Sequence, residues 1–272
     1  MDPSGLAVLS GWSVIEAHGA DARDWLHDLL TADVESLATG RSAVALLLTP
    51  TGRIRASAVV VATEDAILLV QGPGQPRPIA DLLEPYVLSS AVELVPTRLV
   101  PVARLGAGGL SGRYGHAPSA LGAGAGTFLS GDDVDALPSD DLIAPAELER
   151  WRVERGVARF PVDLTPESLP HEADFGDAID LEKGCYLGQE AVARVRNLGH
   201  PTRLVLAAEV EGGPNAGDAV EGPDGPVGEV TSVAGQGSDA VLIRVRWAAR
   251  EAPLRLSDGR ALRVLGRARG GA

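Results

Sequence analysis

The residues best equipped for chemistry fall in one segment, Leu181-Glu-Lys183-Gly184-Cys185-Tyr186-Leu187-Gly188-Gln189-Glu190. It holds the only cysteine of the chain and, two positions earlier, the only lysine. A helix starting near Gly188 would aim its free N–H groups back at Cys185, and a lysine ammonium could approach from the same loop. Both effects favour the thiolate, the nucleophilic and metal-reactive form. The two glycines let the backbone fold tightly enough for a ligand or partner to come close. A second reading stands beside this one. Free cysteine is among the most buried residue types, so Cys185 could be a small hydrophobe packed beside a helix cap. The residues alone leave both readings open.

One thiol sets limits. It excludes an internal disulfide and any zinc or iron–sulfur site built from several cysteines of this chain. The familiar phosphate-loop, dinucleotide, zinc-protease and nucleophile-elbow motifs are absent. The histidines at 18, 27, 116, 171 and 200 are scattered and read as surface or capping residues. Asp132, Asp133, Asp135, Asp140 and Asp141 read as solvated loop, and no metal site is expected.

The elements that must position the motif are legible from periodicity. Apolar residues at 22, 25, 26, 29 and 30 lay one stripe along a helix. Ser42–Leu48, Ile54–Ala62 and Ala66–Gln71 are β-rich runs separated by turn-like residues, which predicts an antiparallel meander. A short helix from Ile79 must end or kink at Pro85, and strands are expected around Val92–Val95 and Leu99–Leu105. Residues 106–141 are loose. Glu147–Arg155 reads as a helix stopped by Gly156, and a further helix runs from Gly188 to about Asn197. Beyond Pro201 only short strands and Gly-Pro or Asp-Gly turns remain, the texture of a small β-barrel or sandwich.

The 272 residues are 45% hydrophobic and 22% charged, the balance of a folded globular chain. Apolar runs such as Ala43 to Leu48 are of strand length, far short of a membrane span. The chain opens Met-Asp-Pro and has no basic residue before Arg23, unlike a secretory or transit peptide, so a cytoplasmic location is expected. Net charge is −13. That argues against a general phosphate-neutralising surface, and no direct nucleic-acid partner is expected. The excess lies entirely in residues 1–200, with 15 basic and 28 acidic groups against 9 and 9 in 201–272. The contrast marks a boundary near Pro201, separating 1–200 from 201–272.

Lys-Gly-Cys-Tyr-Leu-Gly-Gln-Glu (183–190) resembles, without interruption, the signature of the YgfZ family of folate-binding proteins. That family is related to the aminomethyltransferase (T-protein) of the glycine cleavage system and to mitochondrial proteins needed for maturing iron–sulfur enzymes. The resemblance extends over most of the chain. Gly19–Val34 is similar to the first family helix and the turn after it, and Thr49–Arg55 to a hairpin turn. Arg152-Val-Glu154-Arg-Gly156 is similar to the Arg-Leu-Glu-Ala-Gly run of the transferases. Residues 106–141 match nothing.

The resemblance implies an α+β cloverleaf. Two interleaved α+β subdomains would surround a central channel within residues 1–200, and a small C-terminal β-barrel would fill 201–272. It implies tetrahydrofolate or another reduced folate in the channel, with the pterin gripped by Glu154. A carboxylate suits the adjacent N–H donors of a pterin, two oxygens meeting two donors. Without the resemblance, Glu154 would read as a helix-surface residue paired with Arg150 or Arg155. Gln71 falls where relatives carry an amide that can meet folate, and Arg152, Tyr186, Gly188 and Gln189 complete the implied cofactor-facing set. Cys185 and Lys183 carry the implied chemistry.

One departure matters. The aminomethyltransferases place acidic residues just after the turn that begins the second meander strand, whereas this chain reads Arg55-Ala56-Ser57. Without a carboxylate there, the proton-handling part of aminomethyl transfer lacks a player. The expected function is therefore a folate-dependent accessory factor for assembly or repair of iron–sulfur clusters in client enzymes, including tRNA-modifying ones. Its partners would be reduced folate and, transiently, iron–sulfur client or carrier proteins. An active folate-dependent transferase and a folate-buffering module are the alternatives.

Overall fold

The computed structural model describes residues 4–106, 113–116, 121 and 125–272. The chain begins with β1 (Gly5–Val8), β2 (Ser13–His18) and α1 (Ala22–Leu29), then β3 (Ser42–Leu48), β4 (Ile54–Ala62) and β5 (Ile67–Gln71). It continues through α2 (Ile79–Leu83), β6 (Glu93–Pro96), β7 (Val100–Leu105), β8 (Arg113–His116) and β9 (Ala125–Leu129). Three helices follow, α3 (Gly131–Asp135), α4 (Pro145–Glu154) and α5 (Gln189–Leu198), with β10 (Val157–Ala158) between the last two. The remainder is β11 (Arg203–Glu209), β12 (Ala219–Gly222), β13 (Gly225–Val233), β14 (Ala240–Arg246), β15 (Leu254–Leu256), β16 (Ala261–Arg267) and β17 (Arg269–Gly270).

The expected meander is present as neighbouring antiparallel strands in a five-stranded sheet of order β3-β4-β5-β2-β6. Strand β4 is apolar almost throughout because both its faces are covered. Ala56, Ala58 and Val60 face the core with Trp25 and Leu26 of α1 and Leu82 and Leu83 of α2. Val59 and Val61 face the opposite side, where Ala103 and Phe128 of a second sheet, β1-β7-β9-β8, close over them. The chain passes between the two sheets at β1–β2 and again at β6–β7, so their strands interleave along the sequence.

Strands β11-β14-β13-β12-β15-β16 form a closed barrel around Leu204, Leu206, Val230, Ile243 and Val245. The last strand, β17, leaves the barrel and pairs in parallel with β10. A further core joins these bodies: Leu46, Leu48 and Ile54 from the meander meet Phe160, Tyr186, Val192, Val205 and Leu242. The architecture is a mixed α and β fold with few helices and one closed six-stranded barrel.

Residues 106–141 are more ordered than the sequence reading allowed. Ala125–Leu129 pairs with β7 and buries Phe128, and the Ser130 hydroxyl caps α3 by accepting from the Asp133 N–H. Glycines on both sides of β9 hide a strand whose apolar signal is only three residues long. Positions 107–112, 117–120 and 122–124 of that stretch lie outside the described residues. Among the described residues no group of three His, Cys, Asp or Glu side chains could hold a metal ion. No helix is long and apolar enough to cross a membrane.

Candidate functional site

The octapeptide forms a loop clamped at several points, from which Cys185 projects as an exposed thiol. An Asx turn begins the loop: Asp180 Oδ1 accepts from the N–H groups of Glu182 (2.7 Å) and Lys183 (3.0 Å). Lys183 then turns inward. Its ammonium donates to the carbonyl oxygens of His27, Leu30 (2.7 Å) and Ala32 (2.8 Å), the uncapped end of α1 and the turn after it. A cation there satisfies orphan carbonyls and complements the negative end of the helix. Thr31 tightens the same junction, donating to the Ala178 carbonyl (2.7 Å) and accepting from Leu46 N–H (2.9 Å). The Leu187 N–H reaches the Asp28 carbonyl.

On the other side of Cys185, Tyr186 is buried in the junction core. Burial pushes its phenol up to about 12, and its hydroxyl has no hydrogen-bond partner among the described residues. Gly188 enters α5 with φ +85°, and a Cβ there would lie 2.6 Å from the Thr49 carbonyl oxygen. Gly52 faces it from the hairpin turn, where a Cβ would lie 2.9 Å from that of Ala191. Two motifs separated by more than a hundred residues therefore touch through glycines because no side chain fits between them.

The cysteine of the alternative sequence reading, packed as a small hydrophobe, is not what the structure holds. Lys183 spends its donors on three carbonyls, which makes it a positioning residue for the loop. Gln189, half-buried at the first helical position, reaches back toward the Gly184 carbonyl at 3.5 Å.

Burial lowers the Lys183 pKa to about 8, against the pull of Asp33, Asp180 and Asp28. With a value of 10.5 when unfolded, the folded state sheds this proton first. The unfolded state then binds more protons between about 8 and 10.5, so this group's contribution to stability grows as pH rises through that window and is gone below it. The chain has one lysine, so ¹³C-lysine labelling gives a single side-chain signal. Its NMR titration midpoint is expected near 8, and a midpoint near 10.5 would mean that the carbonyls and nearby carboxylates offset the burial.

His27 is the residue the sequence reading passed over. It is buried under the loop, its Nδ1 lies 3.2 Å from both the Glu35 N–H nitrogen and Asp33 Oδ1, and its Nε2 lies 3.9 Å from where a Cβ on Gly184 would stand. Only its place on the apolar side of α1, three residues before the apolar run ends, could have signalled this.

Of the residues assigned to folate, Tyr186, Gly188 and Gln189 belong to this loop, while Glu154, Arg152 and Gln71 lie elsewhere. The two faces of α4 open onto different concavities. One is a largely apolar cavity of about 420 Å³ lined by Trp12, Leu148, Trp151, Arg155, Arg159 and Arg269. The other is a polar groove against the β13–β14 connection, lined by Glu147, Arg150, Glu154, Val233 and Gln236. Glu154 belongs to the groove. Its helical phase matches Arg150, which donates to it at 2.8 Å and also reaches the Gly237 carbonyl at 3.1 Å. The Arg150 hydrogen bond and then that from Ser238 hold the carboxyl below the usual carboxylate range, so it is ionised at neutral pH.

Arg152 and Gln71 are committed inside the protein. Arg152 donates to Asp163 (2.8 Å), Glu149 (2.6 Å) and Ser232 (2.7 Å), tying α4 to the barrel. The Gln71 amide donates to Gln75 (3.1 Å) and the Arg77 carbonyl (3.0 Å) and accepts from the Ile79 N–H (2.8 Å). It shapes the 72–79 turn, and its donors and acceptor are used there.

The fold is similar to that of a glycine cleavage aminomethyltransferase. It superposes on the aminomethyltransferase T of Bartonella henselae with a TM-score of 0.80 over 97% of this chain and 86% of that one, at 18% identity. In sequence it is a relative of the YgfZ and IBA57 proteins. It is 26% identical over 251 residues to the tRNA-modifying protein YgfZ of Escherichia coli, covering 80% of this chain and 76% of that one. It is 26% identical over 246 residues to the mitochondrial iron–sulfur cluster assembly factor IBA57 homologue of Cryptococcus neoformans, covering 74% of this chain and 65% of that one. A chloroplastic protein of Arabidopsis thaliana named as a transferase is 25% identical over 263 residues, 84% of this chain but 61% of its own length. No family profile matches the chain.

Proposed function

We propose that the chain is a folate-binding accessory factor that supports assembly or repair of iron–sulfur clusters in client enzymes, including enzymes that modify tRNA, with Cys185 as its working group. The observation that carries this reading is the presentation of the thiol. Lys183, Tyr186 and Gly188 are anchored, and the Cys185 thiol between them is exposed. A single thiolate cannot hold a four-iron cluster, which usually takes four. It can supply one ligand transiently to a cluster carried by a partner, or attack a partner's disulfide, forming a mixed disulfide as the partner's other sulfur leaves as a thiolate. The names of the YgfZ and IBA57 relatives point to the same work. The test is whether iron–sulfur enzyme activities fall in cells lacking the chain and return when it is restored.

The residues present suit a reduced folate. Glu154 offers an ionised, accessible carboxylate to the paired N–H donors of a pterin, and a ligand there lies against the indole of Trp151, which the groove shares with the apolar cavity. Arg152 lines the apolar cavity on the other face of α4, and Gln71 shapes the turn that carries Pro73 to that cavity. Glu154→Ala is expected to weaken binding of tetrahydrofolate by about 1.5–3 kcal/mol, the scale of charge-assisted hydrogen bonds, read by titration calorimetry. Unchanged affinity in a folded variant would move the ligand out of the groove. Loss on Trp12→Ala would then place it in the cavity across α4.

The transferase alternative is disfavoured by what occupies the second meander strand. Ser57 is fully buried and its backbone is paired with the Gln75 amide, while Arg55 donates to the Tyr86 hydroxyl at 3.2 Å. No carboxylate stands at positions 55–57 to orient the nitrogen of a transferred group.

A further inference from the structure

Two stretches of this acidic chain contain no Asp or Glu and carry six arginines between them: residues 191–203, with Arg194, Arg196 and Arg203, and residues 244–250, with Arg244, Arg246 and Arg250. The fold brings them together. Arg203 and Arg246 stand directly opposite each other in the β11–β14 ladder, and the Trp247 N–H donates to the Thr202 carbonyl. The ring of His200 lies parallel to that of Trp247, with centroids 4.8 Å apart and 1° between planes, and the Arg250 guanidinium lies 4.3 Å from the same indole. The result is a flat aromatic layer flanked by cations.

Arg194, Arg244 and Arg250 are paired with Glu190, Glu229 and Glu251. The side chains of Arg196, Arg203 and Arg246 are exposed and make no hydrogen bond or salt bridge among the described residues. Like charges directly opposed across an antiparallel pair repel, so the Arg203–Arg246 pairing costs stability that a bound polyanion would return. Arginines that meet phosphates beside a planar platform that stacks on bases are the means by which proteins hold unpaired nucleic acid.

We propose that this face, where the end of α5 meets the outer wall of the barrel, binds unpaired RNA. The whole-chain charge of −13 conceals the three unpaired arginine side chains that the fold gathers here. The commitment to RNA rests on the reading above, in which the clients include tRNA-modifying enzymes. Helix α5 connects the two sites: it begins just after Cys185 and, at about 1.5 Å per residue, ends about 15 Å away beside the arginines.

Fluorescence anisotropy with a labelled, unstructured 20-nucleotide RNA at low salt tests the proposal. The intact protein is expected to bind with an affinity that falls as salt rises. The Arg203→Glu/Arg246→Glu variant should bind at least 10-fold more weakly with a shallower salt dependence. Trp247→Ala should lose about 5- to 150-fold, the worth of one stacked base, because the indole, its faces taken by His200 and Arg250, holds flat the imidazole that a base would meet. Trp247 is half-buried, so Arg246→Glu is the safeguard. It creates an opposite-charge pair with Arg203, should melt no lower than the parent, and should still weaken RNA. Cys185→Ser should bind RNA as the parent does, which keeps this result separate from failure of the cluster-related reading. No binding by the parent, or undiminished binding by folded Arg203→Glu/Arg246→Glu or Arg246→Glu, overturns the proposal. Equal displacement of RNA by heparin with no effect of a folded Trp247→Ala would also overturn it, leaving only a generic polyanion patch.

Discussion

Cys185→Ser is expected to abolish support of iron–sulfur enzymes while leaving the protein folded. The thiol is exposed and belongs to no core cluster, and surface substitutions of this kind usually move stability by no more than about 0.5 kcal/mol. What changes is the soft sulfur itself, the atom that can ligate iron or exchange with a disulfide. Thermal melting and tetrahydrofolate binding should match the parent, and complementation of a strain lacking the chain should fail. The native thiol should alkylate without denaturant. Full rescue by the serine variant would reduce the octapeptide to a folding motif.

Arg152→Ala carries the largest expected cost in stability. Asp163 is fully buried and accepts from Arg152, from the Arg159 N–H (2.9 Å) and from the Ser232 hydroxyl (2.7 Å). Removing the guanidinium strands that carboxylate without its cation, takes a partner from Glu149 on α4 itself and unties Ser232 of the barrel from the helix. Breaking one side of a buried ion pair costs about 3–5 kcal/mol. Urea denaturation should show the midpoint falling with little change in slope. Arg152→Lys should recover little, because a single ammonium cannot span Glu149, Asp163 and Ser232 as a planar fork does. If the folded fraction of Arg152→Ala keeps its folate affinity, Arg152 is a clamp between α4 and the barrel. If affinity falls in a variant that is fully folded, Arg152 meets the ligand.

The sequence was most readable where one local pattern decided the structure. The meander strands, the short helix before Pro85, and the turn-rich barrel follow from period-two runs punctuated by Gly, Pro and Asp. The helices α4 and α5 follow from their glycine boundaries. What stayed hidden depends on distant partners. Gln71 could be placed at the end of β5 but not given its turn, and Arg152 could be placed on α4 while its acceptors Asp163 and Ser232 lay elsewhere in the chain. Lys183 was noticed for its rarity, but only the fold reveals that it caps α1. His27 differed from the other histidines only in its place on the apolar side of α1, and its partners Glu35 and Asp33 come from the turn beyond. β9 was missed because tertiary packing, not propensity, makes Phe128 a strand residue.

The ties that hold the thiol loop have a consequence for the order in which the molecule is made. Lys183 reaches back 151 to 156 residues to its carbonyls, and Thr31 reaches forward 147 to Ala178. Contacts so far apart in sequence close late, since loop entropy must be spent before they reward the chain. A nascent chain that has completed α1 and the meander still lacks every anchor of the loop, and a partly unfolded chain loses them together. Display of Cys185 in its clamped form thus reports that the α1 region, the meander turn and the segment before α5 have all docked. A client that recognises the clamped loop would be reading a certificate of completed folding, and immature copies would be passed over without a separate inspection step.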